Sequence, residues 1–449
     1  MTEEQDQNLF LFQWLNEEKL IQRVLSLFSP DGGGSELGSG CRLEQHDNAG
    51  QLLVEIIRSC RDSQLITPPA EKFPNPLLAT AESVDTVQSL LAFMLDSPKP
   101  VESVIVNTVD VLLSLLEVRR PAPQGGFYPY TSEPETVNCQ ADIERQEGVV
   151  RSTVECLVPR LPQLTALLLA PPPKPSVTTT AGVLAVPLGK SRLAIAKLLA
   201  ALLYTHSPGL NSALAEANTL TVLLDLFFEY SLNNFLHAQV EACIRSVIFW
   251  SDKTEKTEPD TSTAQDTTPP VESSSLETPK VEIDSGESKE ESVSDIHPLE
   301  MKTFENPALI HLLTNAKLLD RLISVWSTPS VPPTVAYMGH VTRISNELVT
   351  ACGLGEDTQL SSLTTPPAPA VSCQSRTLLL QLLAQLPEET QESWRGIVSG
   401  KLAEINKINE VKPATDEKRI MSSDDEDSEF RDIQFPQDSV LEKVSYKQI

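Results

Sequence analysis

Aromatic residues make up only 5% of this chain of 449, while proline reaches 34. Sheets draw on β-branched and aromatic side chains, so a leucine-rich, aromatic-poor text with regular proline breaks favours stacked helices over strands. Basic residues are also few, 35 against 62 acidic, for a net charge of −27. Such a balance repels nucleic acid and anionic membrane, and points to basic partners or to partners held in apolar grooves. No stretch reaches the ~20 apolar residues of a membrane span. One long uncharged run, Leu198 to Ala215, is interrupted by His206, Pro208, Gly209 and Asn211. Cysteine is sparse and dispersed, at positions 41, 60, 139, 156, 243, 352 and 373, with no Cys-x-x-Cys pair. That pattern reads as free thiols in a reducing compartment, cytoplasmic or nuclear. The acidic, polar start, Met1-Thr-Glu-Glu-Gln-Asp, is unlike a secretory or transit signal.

The chemistry of catalysis is missing as well. The histidines His46, His206, His237, His297, His311 and His340 form no i, i+4 pair and no His-Glu-x-x-His, so no metal site is written here. Gly189-Lys190-Ser191 ends like a phosphate-binding loop, but position 184 is leucine where glycine is required and Pro187 stiffens the segment. A helix start is the better reading. No Gly-x-Ser-x-Gly elbow and no kinase signature occurs, and the carboxylates cluster mostly in polar stretches that fix no acid/base pair. The expectation is a protein without catalytic activity, metal or cofactor.

What is present is helical text. Apolar residues recur at helical spacing from Leu9 to Phe28 and from Asn48 to Cys60, after the glycine-rich break at Asp31–Gly40. Helices are expected at Ser83–Leu95, at Val101–Val118 and at Asp142–Leu169 with a break near Pro159 and Pro162, followed by an irregular connection from Pro171. Leu188–Trp250 reads as three helices, with Leu236, Val240, Cys243, Ile244 and Val247 in one stripe and Glu241 a turn ahead of Arg245. Val222–Phe228 is nearly all apolar and should be covered on most sides. From Asp252 to Ile296 stand 13 acidic and 4 basic residues and no aromatic, too little apolar surface to offset ordering entropy. Helical text resumes at Pro307–Trp326, Val335–Cys352, Arg376–Leu386 and Glu388–Asn409. The organisation read from this is a helical region at 8–251, a disordered acidic insertion at 252–297, a second helical region at 298–411 and a disordered acidic tail at 412–449. The fold class is all-α, a HEAT- or armadillo-like α-solenoid, with a divergent helical bundle as the alternative; no crisp internal repeat is visible. In the tail, Ser422 and Ser423 each precede an acidic residue by three places, Asp425 and Glu426, which makes them candidate phosphorylation sites.

Several blocks resemble one family closely. They are Pro187-Leu-Gly-Lys-Ser-Arg-Leu through Leu223-Leu-Asp-Leu-Phe-Phe-Glu-Tyr to Asn233-Asn-Phe-Leu-His-Ala-Gln-Val-Glu-Ala-Cys-Ile244, then Ala336-Tyr-Met-Gly-His-Val-Thr-Arg-Ile-Ser-Asn346, and Leu386-Pro-Glu-Glu-Thr-Gln-Glu-Ser-Trp394. Trp14-Leu-Asn-Glu-Glu-Lys-Leu-Ile-Gln-Arg23 and Asp47-Asn-Ala-Gly-Gln51 belong with them. This text is similar to the SAPS-type regulatory subunits of protein phosphatase 6. The resemblance implies a helical-repeat scaffold that binds the phosphatase 6 catalytic subunit and, through further contacts, ankyrin-repeat proteins. Catalysis and metals would then belong to the phosphatase. An α-solenoid trafficking or assembly adaptor is the alternative. The family usually carries more helical text before the Trp14 block, so a fragment or variant form is expected. Within the matching blocks, Asn233, Asn234, His237, Gln239 and Glu241, with Tyr337, His340, Arg343 and Asn346, set polar groups on an apolar helix frame. One reading is a partner-binding surface; the other is that the Asn and His residues satisfy backbone groups where helices turn and stack.

Overall fold

The computed structural model describes residues 3–29, 39–66, 75–119, 140–179, 182–207, 209–250, 306–328, 336–353 and 373–409. The expected acidic insertion at 252–297 and tail at 412–449, with Ser422 and Ser423, lie outside these residues. The chain divides into two compact bodies, Met1–Val398 and Ser399–Ile449.

The first body is helical. It opens with α1 (Glu3–Glu17), α2 (Leu20–Ser26) and α3 (Ser39–Ile66), followed by α4 (Pro76–Ala81), α5 (Val84–Leu95) and α6 (Glu102–Leu116). Next come α7 (Gln140–Leu157), a 3-10 turn at Val158–Arg160, α8 (Leu161–Leu169) and α9 (Gly189–Tyr204). Then α10 (Leu210–Glu216), α11 (Thr219–Glu229) and α12 (Asn234–Ile248) precede α13 (Pro307–Thr314), α14 (Leu318–Ser327) and α15 (Met338–Ala351), with α16 (Cys373–Ala384) and α17 (Glu388–Ile397) last. In the second body the described residues are the end of a π-helical turn, Val398–Leu402, and α18 (Ala403–Asn409).

Helix starts follow from the local text. Asn75 and Asn306 each precede a proline and cap the next helix, their side-chain oxygens accepting from the amides of Leu78 and Leu309. Proline at the first helical position lacks an amide hydrogen that would have no partner there anyway. Three breaks were not legible. Leu9–Phe28 divides at Lys19, Pro307–Trp326 divides at Lys317, and Leu188–Trp250 holds four helices rather than three because Asn218 separates α10 from α11. These residues share a left-handed backbone, with φ of 55°, 53° and 55° for Lys19, Lys317 and Asn218. For an L-residue that conformation costs about 1–2 kcal/mol, which the burial of both flanking helices offsets. The connection after Pro171 also differs from expectation: it holds a short antiparallel hairpin, β1 (Val177–Thr179) with β2 (Gly182–Leu184), pairing Val177 with Leu184 and Thr178 with Val183.

The packing reveals the repeat that the sequence hides. Taken three at a time, the third helices form a ladder: α3 packs on α6, α6 on α9, α9 on α12 and α12 on α15. First helices meet first helices in α1–α4, α10–α13 and α13–α16, and second helices meet second helices in α2–α5, α8–α11 and α14–α17. α7 departs from this order and packs against α5 and α6. The left-handed breaks at Lys19, Asn218 and Lys317 fall at the same place, between first and second helices. This is an armadillo-like stack of three-helix repeats, built by burial: Ile105, Val109, Leu112, Ile195, Leu199, Val240 and Ile244 along the ladder are at most 1% exposed. Gly50 lets α3 approach α6, since a Cβ there would stand 2.7 Å from the side chain of Asn107. Asn107 in turn donates to Asp47 at 2.7 Å.

Candidate partner-binding surface

The residues singled out in the sequence gather where α11, α12 and α15 meet. Asn233 is the N-cap of α12, its side chain accepting from the Leu236 amide at 3.0 Å. His237 is fully buried, and its Nε2 donates to the carbonyl of Phe227 at 3.0 Å. That carbonyl lies in the last turn of α11, where carbonyls have no partner within their own helix. Burial holds the His237 pKa below its ordinary value, so the ring is neutral at physiological pH. It packs on Phe227 with ring centroids 4.6 Å apart and on Tyr337 at 5.8 Å. His237 therefore serves the helix turn. Its burial removes it from the partner-binding surface that was one of the two readings of the sequence, and a docking partner could not reach it.

The accessible part lies one turn further along. Glu241, on α12, accepts from Arg343 Nε at 2.6 Å and Arg343 Nη2 at 2.8 Å, and from His340 Nδ1 at 2.5 Å. His340 is itself buried, 4% exposed, and its Nε2 stands 2.5 Å from Asn234 Oδ1 beneath the exposed Arg343. Arg343 keeps 49% of its side chain exposed while Glu241 keeps 15%. The paired carboxylate holds the guanidinium above its already high ordinary pKa. Tyr337 roofs this corner on Phe227 and Phe228, with centroids 5.6 and 5.5 Å away. Asn346 is half-buried, one turn along α15 from Arg343. Gln239 is also half-buried, but helical spacing sets it with Phe235 rather than with Asn234 and Glu241. The structure thus brings together Asn234, Glu241, Tyr337, His340 and Arg343, and leaves Gln239 outside.

The sequence suggested that Glu241 would pair with Arg245 along one helix. Instead each finds a partner across the α12–α15 contact: Glu241 takes Arg343, and Arg245 reaches Glu347 Oε1 at 3.3 Å. Sequence reasoning missed Glu347, although Arg343, Asn346, Glu347 and Thr350 form a polar stripe at helical spacing. Its other oxygen is buried without a hydrogen-bond partner among the described residues. Burial pushes the Glu347 pKa up to about 7, helped by Glu241 and opposed by Arg245 and Arg343. The folded chain therefore binds this proton more tightly than the unfolded chain, whose value lies near 4.5. The contribution to stability is fully present below that lower value and is lost as pH rises through about 7. Glu347→Gln is expected to raise the thermal midpoint at pH ~8, with the gain shrinking toward pH ~5; an equal shift at both would show that titration plays no part.

The ladder continues this surface. On α3, α6 and α9, Arg58 and Lys197 both act on the carboxylate of Asp110, and all three are exposed. Charges of both signs therefore mark the open sides of successive third helices. At Gly189-Lys190-Ser191 the amide of Lys190 donates to Glu102 Oε1 at 3.0 Å, so a carboxylate occupies the position a phosphate would need. Among the described residues, no group of three or more His, Cys, Asp or Glu converges as metal ligands would, and no helix is long and apolar enough to cross a membrane. Cys41, Cys60, Cys156, Cys243 and Cys352 are free thiols.

Comparison with known proteins gives one consistent answer. The SAPS family, described as SIT4 phosphatase-associated protein, matches residues 1–411. The chain is similar to serine/threonine-protein phosphatase 6 regulatory subunit 1 of Mus musculus, with 33% identity over 97% of this chain and 43% of that protein. It is likewise similar to regulatory subunit 3-A of Xenopus laevis, 33% identical over 97% of the chain and 43% of the relative. For regulatory subunit 2 of Homo sapiens the figures are 33%, 93% and 38%. The chain therefore spans less than half the length of these relatives. No solved structure matches.

Proposed function

Because the chain belongs to the SAPS family of phosphatase-associated proteins, we propose that it is a non-catalytic scaffold that binds the catalytic subunit of protein phosphatase 6 and directs its choice of substrate or its location. The observation that carries this reading is the ladder of third helices with its open, charged sides, ending in the Glu241–Arg343 corner. A stack of this kind offers an extended surface and no enclosed reaction site, which suits binding rather than chemistry. The residues assigned to contact are Asn234, Glu241, Tyr337, Arg343 and Asn346. Asn233, His237 and His340 support them from within. Ankyrin-repeat proteins are further partners in this reading, and the free thiols agree with a reducing, cytoplasmic or nuclear setting.

The test is binding of the purified chain to purified phosphatase 6 catalytic subunit, measured by biolayer interferometry. Arg343→Glu places two like charges together at Glu241 and removes an exposed cation. It is expected to weaken binding by about tenfold or more, while the far-UV circular dichroism spectrum stays helical. Unchanged affinity would move the contact away from the α12–α15 corner. Absence of binding by the unmodified chain would favour the adaptor reading, in which a solenoid of this kind carries other cargo.

A further inference from the structure

A second surface lies at the other end of the ladder. Between α2, α3, α5 and the start of α6 there is a cavity of about 680 Å³, within the range of about 300–1,000 Å³ typical of binding sites. Its apolar wall is made by Leu27, Phe28, Leu43, Phe93, Val101 and Val104. Leu43 and Val101 remain 51% and 48% exposed at the lip, so the apolar lining reaches solvent. A smaller cavity of about 380 Å³ shares Leu27 and Gln45 with the first and runs along α3 to Leu52, itself 44% exposed. The two cavities stand side by side along α3, an arrangement that suits an extended chain better than a compact small molecule.

The charges around the groove are unequal. Glu102 is occupied, accepting from Lys174 Nζ at 2.7 Å and from the Lys190 amide at 3.0 Å. Asp96, at the end of α5, is held by Arg160 at 2.7 and 3.3 Å. Asp47 accepts from Asn107 at 2.7 Å. On α2, Arg23 is paired with Glu18. Arg42 and Lys99 remain at the mouth of the larger cavity, and neither has an ion-pair partner among the described residues. Glu44 lines the smaller cavity, so the groove is cationic at one end and acidic at the other. His46, at the back, is held by Ser103 at 2.7 Å and stacked on Phe28 with centroids 6.0 Å apart, which fixes the wall.

We propose that this groove is a docking site for an extended peptide segment of another protein, one that carries a large apolar side chain flanked on one side by carboxylates. The apolar anchor fills the larger cavity against Phe28, Leu43 and Phe93, and the carboxylates lie over Arg42 and Lys99. In a chain with a net charge of −27, two cations without an ion-pair partner among the described residues are the feature that selects an acidic segment over a neutral one. Opposite charges at the rim speed encounter and fix register.

The experiment is fluorescence anisotropy with the whole chain and a fluorescein-labelled ten-residue peptide in which Leu and Phe precede a run of Asp and Glu. Micromolar, saturable binding is expected. Two control peptides, one with the acids changed to Asn and Gln and one with Leu and Phe changed to Ser, should bind about tenfold or more weakly. The double variant Arg42→Glu, Lys99→Glu should lose a similar factor for the acidic peptide and keep its helical circular dichroism spectrum. Leu43→Asp tests the anchor separately, since this side chain is half exposed and its replacement leaves the core intact. Absence of saturable binding, equal binding of the neutral peptide, or an unaffected double variant would each overturn the proposal. Binding of phosphatidylserine vesicles in place of the peptide, lost in the same double variant, would also overturn it and assign the groove to a membrane surface.

Discussion

Replacing Phe227 with alanine is expected to lower stability by about 3–5 kcal/mol. The side chain is 1% exposed in α11 and stands at the centre of a ring cluster, 4.6 Å from His237, 5.0 Å from Phe228 and 5.6 Å from Tyr337 between centroids. Alanine would remove the ring and leave a cavity between α11, α12 and the start of α15 that three other aromatic groups cannot fill without moving. Most single domains hold only about 5–15 kcal/mol in total, so the loss should show as a clear fall in the urea midpoint and in the thermal midpoint. The phosphatase binding proposed above should fail with it, through unfolding. His237→Ala should behave in the same direction with a smaller effect. It leaves the Phe227 carbonyl without its buried donor, at a cost of about 1–3 kcal/mol. Of the two readings the sequence left open for His237, partner contact or backbone support at a helix turn, the depth of the ring favours the second. A Phe227→Ala protein with unchanged midpoints would mean that α11 is not the covered centre of the repeat.

Glu82→Ala should be comparably damaging, by a different route. Arg61 is 1% exposed and donates from Nε to Glu82 Oε1 at 2.7 Å. Its Nη1 donates to the carbonyls of Ser114 and Glu117 at 2.9 and 2.7 Å, closing the end of α6. The second oxygen of Glu82 is paired with Arg145 of α7. One carboxylate therefore joins α3, the α4–α5 junction and α7 around a guanidinium that has almost no access to water. Burial already draws the Arg61 pKa down, and Glu82 is its main counterweight. Removing Glu82 leaves a buried charge uncompensated, a change that costs about 3–5 kcal/mol. The double variant Arg61→Met, Glu82→Leu should recover part of this, since neither charge then has to leave water. Recovery should stay incomplete, because the carbonyls of Ser114 and Glu117 lose their donor. Chemical denaturation of both variants measures the difference; if the double variant is no better than the single, desolvation of Arg61 is not the cause.

Helix type was legible because it rests on local periodicity. Val101–Val118, rich in valine, still formed α6, as its length required. The core side chains of α11 and α12 also followed from spacing: Leu223, Leu226 and Phe227 are buried, as are Leu236, Val240, Ile244 and Val247. The breaks at Lys19 and Lys317 were not legible, since lysine carries no turn signature and takes a left-handed conformation only under tertiary packing. The repeat was hidden for a related reason. Its members begin at Glu3, Pro76, Gln140, Leu210, Pro307 and Cys373, which share no fixed spacing, so self-comparison of the sequence finds nothing. The candidate surface was half legible. The sequence placed its residues on the right helices, but the exchange of partners between Glu241, Arg245, Arg343 and Glu347 depends on how α12 meets α15, and no single helix records that.

The order of the helices determines where this protein can grow. The stretches between α3 and α4, between α6 and α7, between α12 and α13 and between α15 and α16 all follow a third helix, so each falls where one repeat has closed and the next has not begun. At such a junction the length of the connection hardly matters to the stack, because the entropy of joining two ends rises only with the logarithm of the residues between them, about 0.6 kcal/mol for each doubling. Added text inside a repeat, like the hairpin-bearing connection between α8 and α9, must return the chain to pack on its own repeat; added text between repeats separates only the backbone. The faces α10 to α13 and α12 to α15 stay in contact across the longest of these stretches. The length and content of these connections can therefore change while the ladder remains the same, and a tag or a second protein inserted there should be carried without disturbing what the ladder holds.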